Sequence, residues 1–148
     1  MKNFQITLLN SGTLDIVEKE NAILCTNDNA AKYGLSLTPD EAHRLTMYNA
    51  GELKSHGRIE ISQGILPKII RAVCHSQSLW PENYIQTLEE LVEAFYIIKE
   101  DTLDRISDDC IIEHLADALD RGLTNAEDIL MDRQINALCR SKLHKQEI

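Results

Sequence analysis

The sequence predicts an all-α, single-domain helical bundle over residues 1–148, and three observations lead there. Capping residues mark several helix starts, apolar residues recur at three- and four-residue steps, and glycines stand where those stretches end. A chain of 148 residues can bury a core without disulfides or metal.

The first stretch is the exception to the helical pattern. Phe4, Ile6 and Leu8 alternate with polar residues, as do Ile59 and Ile61. At most they form a minimal two-stranded β element near residues 4–8 and 58–62. Two strands are not stable alone, so such a ribbon would have to lie on the helices. Residues 13–25 read as a first helix, and residues 27–33 as a short helical turn stopped by Gly34.

Thr38-Pro39-Asp40-Glu41 is a complete start signal. Thr sits at the N-cap, Pro at the first helical position and Glu three residues after the cap. Gly57 is the expected stop. Ile65, Leu66, Ile69, Ile70, Val73 and Cys74 form the next helical stripe. Trp80-Pro81-Glu82 reads as the start of a long helix whose apolar side is Tyr84, Leu88, Leu91, Phe95 and Ile98. Ser107-Asp108-Asp109 opens a helix carrying Ile111, Ile112, Leu115, Ala118 and Leu119, closed by Gly122; its acids suit the positive end of the helix dipole. Thr124-Asn125-Ala126-Glu127 repeats the capping box and opens a last helix. That helix is apolar over a wide arc, with Ala126, Leu130 and Ala137 on one side and Met131, Ile135, Leu138 and Cys139 on another. The arc predicts either a central position in the bundle, which is preferred, or a second stripe packed on another subunit.

Several of these stretches occur together in a known family: Tyr33-Gly34-Leu35-Ser36-Leu37-Thr38, Gly57-Arg58-Ile59-Glu60, and Gly64-Ile65-Leu66-Pro67-Lys68-Ile69-Ile70 leading to Cys74. Phe95-Tyr96, Lys99-Glu100 and Ser107-Asp108-Asp109 continue the pattern. The chain resembles a family of uncharacterised bacterial proteins of about 150 residues found largely among Firmicutes. The resemblance implies a single small domain and supplies no catalytic residue.

Composition narrows the function classes. No apolar run approaches the ~20 residues that span a bilayer, and the N-terminus lacks a secretory apolar region, so a cytoplasmic protein without a membrane role is expected. Cys25, Cys74, Cys110 and Cys139 are far apart and form no C-x-x-C pair, which predicts reduced thiols. All of the net charge of −9 sits between residues 100 and 132, with eleven acids and two bases; elsewhere acids and bases balance. That charge disfavours nucleic acid as a partner.

Four clusters are candidates for chemistry or binding. Arg58, Glu60, Gly64, Lys68 and Arg71 surround a helix start preceded by glycine, where backbone N–H groups and cations can hold an anion. The spacing is not that of a Walker loop, and a plainer account has Gly64 making a turn and Arg58 pairing with an acid. Cys110, His114 and Asp117 share one flank of a helix and are possible zinc ligands. One helix supplies too few ligands, so a solvent-facing flank is preferred and no cofactor is expected. Glu89, Glu90 and Glu93 are read as a solvated helix face in preference to a carboxylate site. Asp104, Asp108 and Asp117 represent the acidic window as a partner surface.

The leading expectation is therefore a non-enzymatic protein-interaction module, working through its acidic face or by self-association through its C-terminal helix. The alternative is a small enzyme or sensor that binds an anionic small ligand near the Arg58–Arg71 segment.

Overall fold

The computed structural model describes residues 15–60 and 63–147, and every regular element among them is helical. Helix α1 covers residues 15–25. Next come α2 (Asn27–Ala30), a single 3₁₀ turn (Ala31–Tyr33), α3 (Pro39–Ser55) and α4 (Leu66–Val73). Helices α5 (Tyr84–Asp101), α6 (Asp108–Asp120), α7 (Ala126–Leu130) and α8 (Arg133–Glu147) complete the chain. The all-helical expectation holds. The two-stranded element does not form at residues 58–60; residues 4–8, 61 and 62 lie outside the described residues. At 58–60 the chain is held by side chains instead, as described below.

Local signals place most boundaries. The Thr38 hydroxyl accepts from the Glu41 N–H at 3.1 Å, while the Glu41 carboxylate accepts from the Thr38 N–H at 2.9 Å. Ser107 caps α6 through the Cys110 N–H. Two starts shift. The long helix begins at Tyr84, not Pro81, because the Asn83 side chain accepts from the Trp80 N–H and donates to the Ser78 carbonyl, holding 78–83 as a turn. The cap of α7 is Asn125, one residue after Thr124, with its side chain accepting from the Asp128 N–H at 2.9 Å.

The last helix is two helices. Asp132 breaks it: its carboxylate accepts from the Ile135 N–H at 3.2 Å and pairs with Arg121, the residue after α6, through contacts of 2.8 and 3.0 Å. The Arg121 hydrogen bond, followed by the backbone donors, pulls the Asp132 carboxyl down to about 2. The wide apolar arc read from the sequence therefore belongs to two helix axes. Ile129 and Ile135 are buried, while Met131 at the break is 73% exposed.

Helix α5, not the last helix, takes the central place. Tyr84, Thr87, Leu88, Leu91, Val92, Ala94, Phe95, Tyr96 and Ile98 are all buried, and the helix packs on α3, α4, α6 and α7. Burial on several faces is what a central helix requires. Side-chain pairs fix its direction relative to α3. Arg44 meets Glu89, Asn49 meets Tyr96, His56 meets Glu100 and Arg58 meets Asp104. Both partners advance together, so α3 and α5 run parallel. The chain between α3 and α5, which includes α4, makes the crossover that this arrangement needs.

Both parallel helices end in the same motif. At α3, the Gly57 N–H donates to the Lys54 carbonyl and the Arg58 N–H to the Leu53 carbonyl. At α5, the Leu103 N–H donates to Glu100 and the Asp104 N–H to Lys99. These are Schellman closures, which put one residue in the left-handed region. Gly57 does so at φ 64°, but α5 uses Leu103 at φ 55°, followed by Asp104 at φ 61°. A left-handed Leu costs about 1–2 kcal/mol, and its side chain is 66% exposed, so little packing offsets the strain. Leu103→Gly should raise stability by about 0.5–1 kcal/mol in urea denaturation, after the entropy that glycine adds to the unfolded chain. A loss of stability would mean that the covered third of Leu103 outweighs its strain.

Candidate functional site

Glu60 is the centre of the best-built polar group among the described residues. One carboxylate oxygen, Oε1, accepts from Asn49 Nδ2 at 2.8 Å and faces Lys19 Nζ at 3.2 Å. The other, Oε2, accepts from the Ile65 N–H at 2.9 Å and the Tyr96 hydroxyl at 3.1 Å. Four elements thus converge on one acid: α1, α3, the start of α4 and α5. The Glu60 side chain is 10% exposed, and this pairing offsets the cost of burying it. The Tyr96 hydroxyl also reaches Asn49 Oδ1 at 2.8 Å, so two acceptors share its single proton. Burial, and then the nearby Glu60 charge, push the Tyr96 phenol far above its ordinary range, so it remains a donor.

Gly64 makes room for this group. Its φ is 84°, and a Cβ there would lie 2.2 Å from Glu60 Oε1. The carboxylate occupies the space that any other residue's side chain would need. The anion at the start of α4 is therefore supplied by the chain itself, through the Ile65 N–H.

Around this centre lies a cleft of about 750 Å³ between the end of α3, residues 58–60 and 63–65, α4, α5 and the start of α6. All five residues read from the sequence as ligand-binding, Arg58, Glu60, Gly64, Lys68 and Arg71, line it. The plainer account of two of them also holds: Gly64 makes a left-handed turn and Arg58 pairs with Asp104. That hydrogen bond to Arg58 draws the Asp104 carboxyl below its usual range. Lys99 joins the lining; it holds Asp108 at 2.7 Å and donates to the Ile106 carbonyl at 2.8 Å. Lys68 has only a long contact of 3.7 Å to Asp109, with both side chains exposed. Arg71 makes no ion pair among the described residues. Leu53, Ile65, Pro67 and Phe95 supply an apolar floor.

Sequence reasoning missed Asn49, Tyr96, Lys99 and Lys19. Asn49 and Tyr96 are buried polar groups within helical stripes, a weak signal that gains meaning only once α3 and α5 lie parallel.

The other clusters are placed differently. His114 Nδ1 lies 2.8 Å from the Cys110 carbonyl and 3.8 Å from the Cys110 sulfur, which commits that nitrogen to the helix backbone. Asp117 turns away to Arg121 at 3.2 Å. Among the described residues no three His, Cys, Asp or Glu side chains converge as a metal ion requires. Glu89 forms a two-point pair with Arg44, at 3.2 and 2.8 Å. Burial raises the Glu90 carboxyl above its usual range, helped by its hydrogen bond with Glu93. The three acids read as a partner surface each have a cation from this chain: Asp104 has Arg58, Asp108 has Lys99 and Asp117 has Arg121. Among the described residues no helix is long and apolar enough to cross a membrane.

No curated protein and no solved structure is significantly similar to the chain. A family defined as one of unknown function, DUF6323, matches residues 22–147, a span that holds the whole cleft apart from Lys19 behind it, and the chain belongs to that family.

Proposed function

We propose that this protein binds a small anionic ligand in the cleft between α4, α5 and residues 58–60. The observation that carries the reading is the balance of charge in the lining: Arg58, Lys68, Arg71 and Lys99 against Glu60 and Asp108. Glu60 is already met by four donors, so its charge is spent inside the protein. Lys68 and Arg71, one turn apart on α4, are the cations with the least internal pairing. The volume falls in the ordinary range for small-molecule sites, roughly 300–1,000 Å³. The reading is of a binding protein rather than an enzyme. A carboxylate committed to four donors and a phenol held protonated are poorly set up to move protons. The acidic window is the weaker basis for a function, because Asp104, Asp108 and Asp117 are each countered by a base of the same chain.

Titration calorimetry at low salt, with a panel of carboxylates and phosphate esters, tests this. At least one anion should bind, and its affinity should fall by about tenfold or more in Lys68→Ala/Arg71→Ala. Both side chains are exposed, so the melting temperature of the variant should stay close to that of the parent. The proposal fails if no anion binds at millimolar concentration, or if the double variant binds as the parent does.

A further inference from the structure

Ile59 is 92% exposed, yet it lines the same cleft. Its exposure is not that of a loose loop, because the residues on both sides are anchored. Arg58 is tied to Asp104 by its side chain and to the Leu53 carbonyl by its N–H, and Glu60 is tied to four donors. The fold thus holds a bare isoleucine at the mouth of a cleft whose floor is Ile65, Pro67 and Phe95 and whose other wall carries Lys68 and Arg71.

Resting on the anion-binding reading above, we infer that the ligand is amphiphilic: an anionic head on Lys68 and Arg71, with an apolar body laid between Ile59 and that floor. Charge complementarity fixes the head, since those two cations are the least paired in the lining. The apolar contact fixes the body, since a wholly hydrophilic anion would leave Ile59 in water. A carboxylate and a phosphate monoester share this chemistry, and both are included in the test.

The probes are octanoate, octyl phosphate, inorganic phosphate and octanol, titrated into the full chain by calorimetry at low salt. Octanoate or octyl phosphate should bind at least about tenfold tighter than inorganic phosphate, as expected when one exposed isoleucine is covered. Ile59→Ser should remove about that factor for the octyl anion and leave binding of inorganic phosphate unchanged. Lys68→Ala/Arg71→Ala should weaken the octyl anion and the phosphate alike. Inorganic phosphate binding as tightly as the octyl anions would overturn the amphiphile while leaving the anion site standing. Octanol binding as tightly as octanoate would overturn the placement of a charged head on Lys68 and Arg71. Binding of none of the four would overturn both readings. Ile59 is exposed, so Ile59→Ser keeps the fold, and a control melt checks that it does.

Discussion

Glu60→Ala should cost about 3 kcal/mol of folding stability in urea denaturation, the largest loss expected from any single charged residue of the cleft. The substitution strands the groups that the carboxylate serves. The Ile65 N–H, one of the orphan donors at the start of α4, loses its acceptor. Asn49 Nδ2, on a residue 4% exposed, loses its own. Tyr96 keeps Asn49 Oδ1, and Lys19 keeps Asp15 at 3.5 Å, so the damage is partial. Removing one partner of a buried charged network costs about 3–5 kcal/mol; the open cleft, which admits water to part of the gap, argues for the lower end. Glu60→Gln separates charge from shape. Its amide oxygen can serve Ile65 and Tyr96, but its NH₂ then faces two donors, Asn49 Nδ2 and Lys19 Nζ. Asn49 cannot turn over freely, because its Oδ1 already accepts from Tyr96. Glu60→Gln should therefore retain only part of the lost stability. If both variants unfold at the parent's urea midpoint, the carboxylate is not the structural centre assigned to it.

Much of this architecture was legible because its signals are local. The capping box at Thr38 and the cap at Ser107 involve residues three apart, and Gly57 and Gly122 mark closures within a single turn. The reading slipped where a competing side-chain turn, or a partner from another element, decides the outcome. Trp80-Pro81-Glu82 has the form of a helix start, but Asn83 folds back on Trp80 and Ser78 and delays the helix to Tyr84. The arc of apolar residues after Asn125 looked like one helix buried on two sides. Arg121, at the end of α6, takes hold of Asp132, and the chain turns there onto a new axis. Leu103 is a left-handed closure written without glycine, so the end of α5 carried no signal.

The cleft divides along the same line. Arg58, Glu60, Gly64, Lys68 and Arg71 lie within fourteen residues of sequence, and proximity alone gathered them. Their division of labour was hidden. Glu60 reads as one more polar lining residue until Lys19, Asn49 and Tyr96 arrive from three other helices. The pairing within the acidic window was hidden in a similar way. Its formal charge is real, but Arg58 and Lys99, from outside or at the edge of the counted span, reach Asp104 and Asp108. Formal charge counted along a sequence cannot include pairs made across the fold.

Gly64→Ala should cost about 2–4 kcal/mol, and most of that cost should vanish in a Glu60→Ala background. Two effects combine in the single substitution. An alanine at φ 84° is strained by about 1 kcal/mol, because only glycine is at ease there. The added Cβ also falls 2.2 Å from Glu60 Oε1 and 2.4 Å from its carboxyl carbon, a distance no real contact tolerates. The atom in the way is the end of a side chain, so the clash is relieved when Glu60 swings out. Swinging out forfeits the donors from Ile65, Asn49, Tyr96 and Lys19, which makes Gly64→Ala a hidden form of Glu60→Ala. Where Glu60 is already alanine, the clash is gone and only the backbone strain of about 1 kcal/mol remains. The pair should accordingly be sub-additive by about 1–3 kcal/mol, well beyond the few tenths seen between independent sites. Strict additivity in the urea-denaturation cycle would show that Glu60 does not fill the space beside Gly64, and the design of the cleft around that carboxylate would fall with it.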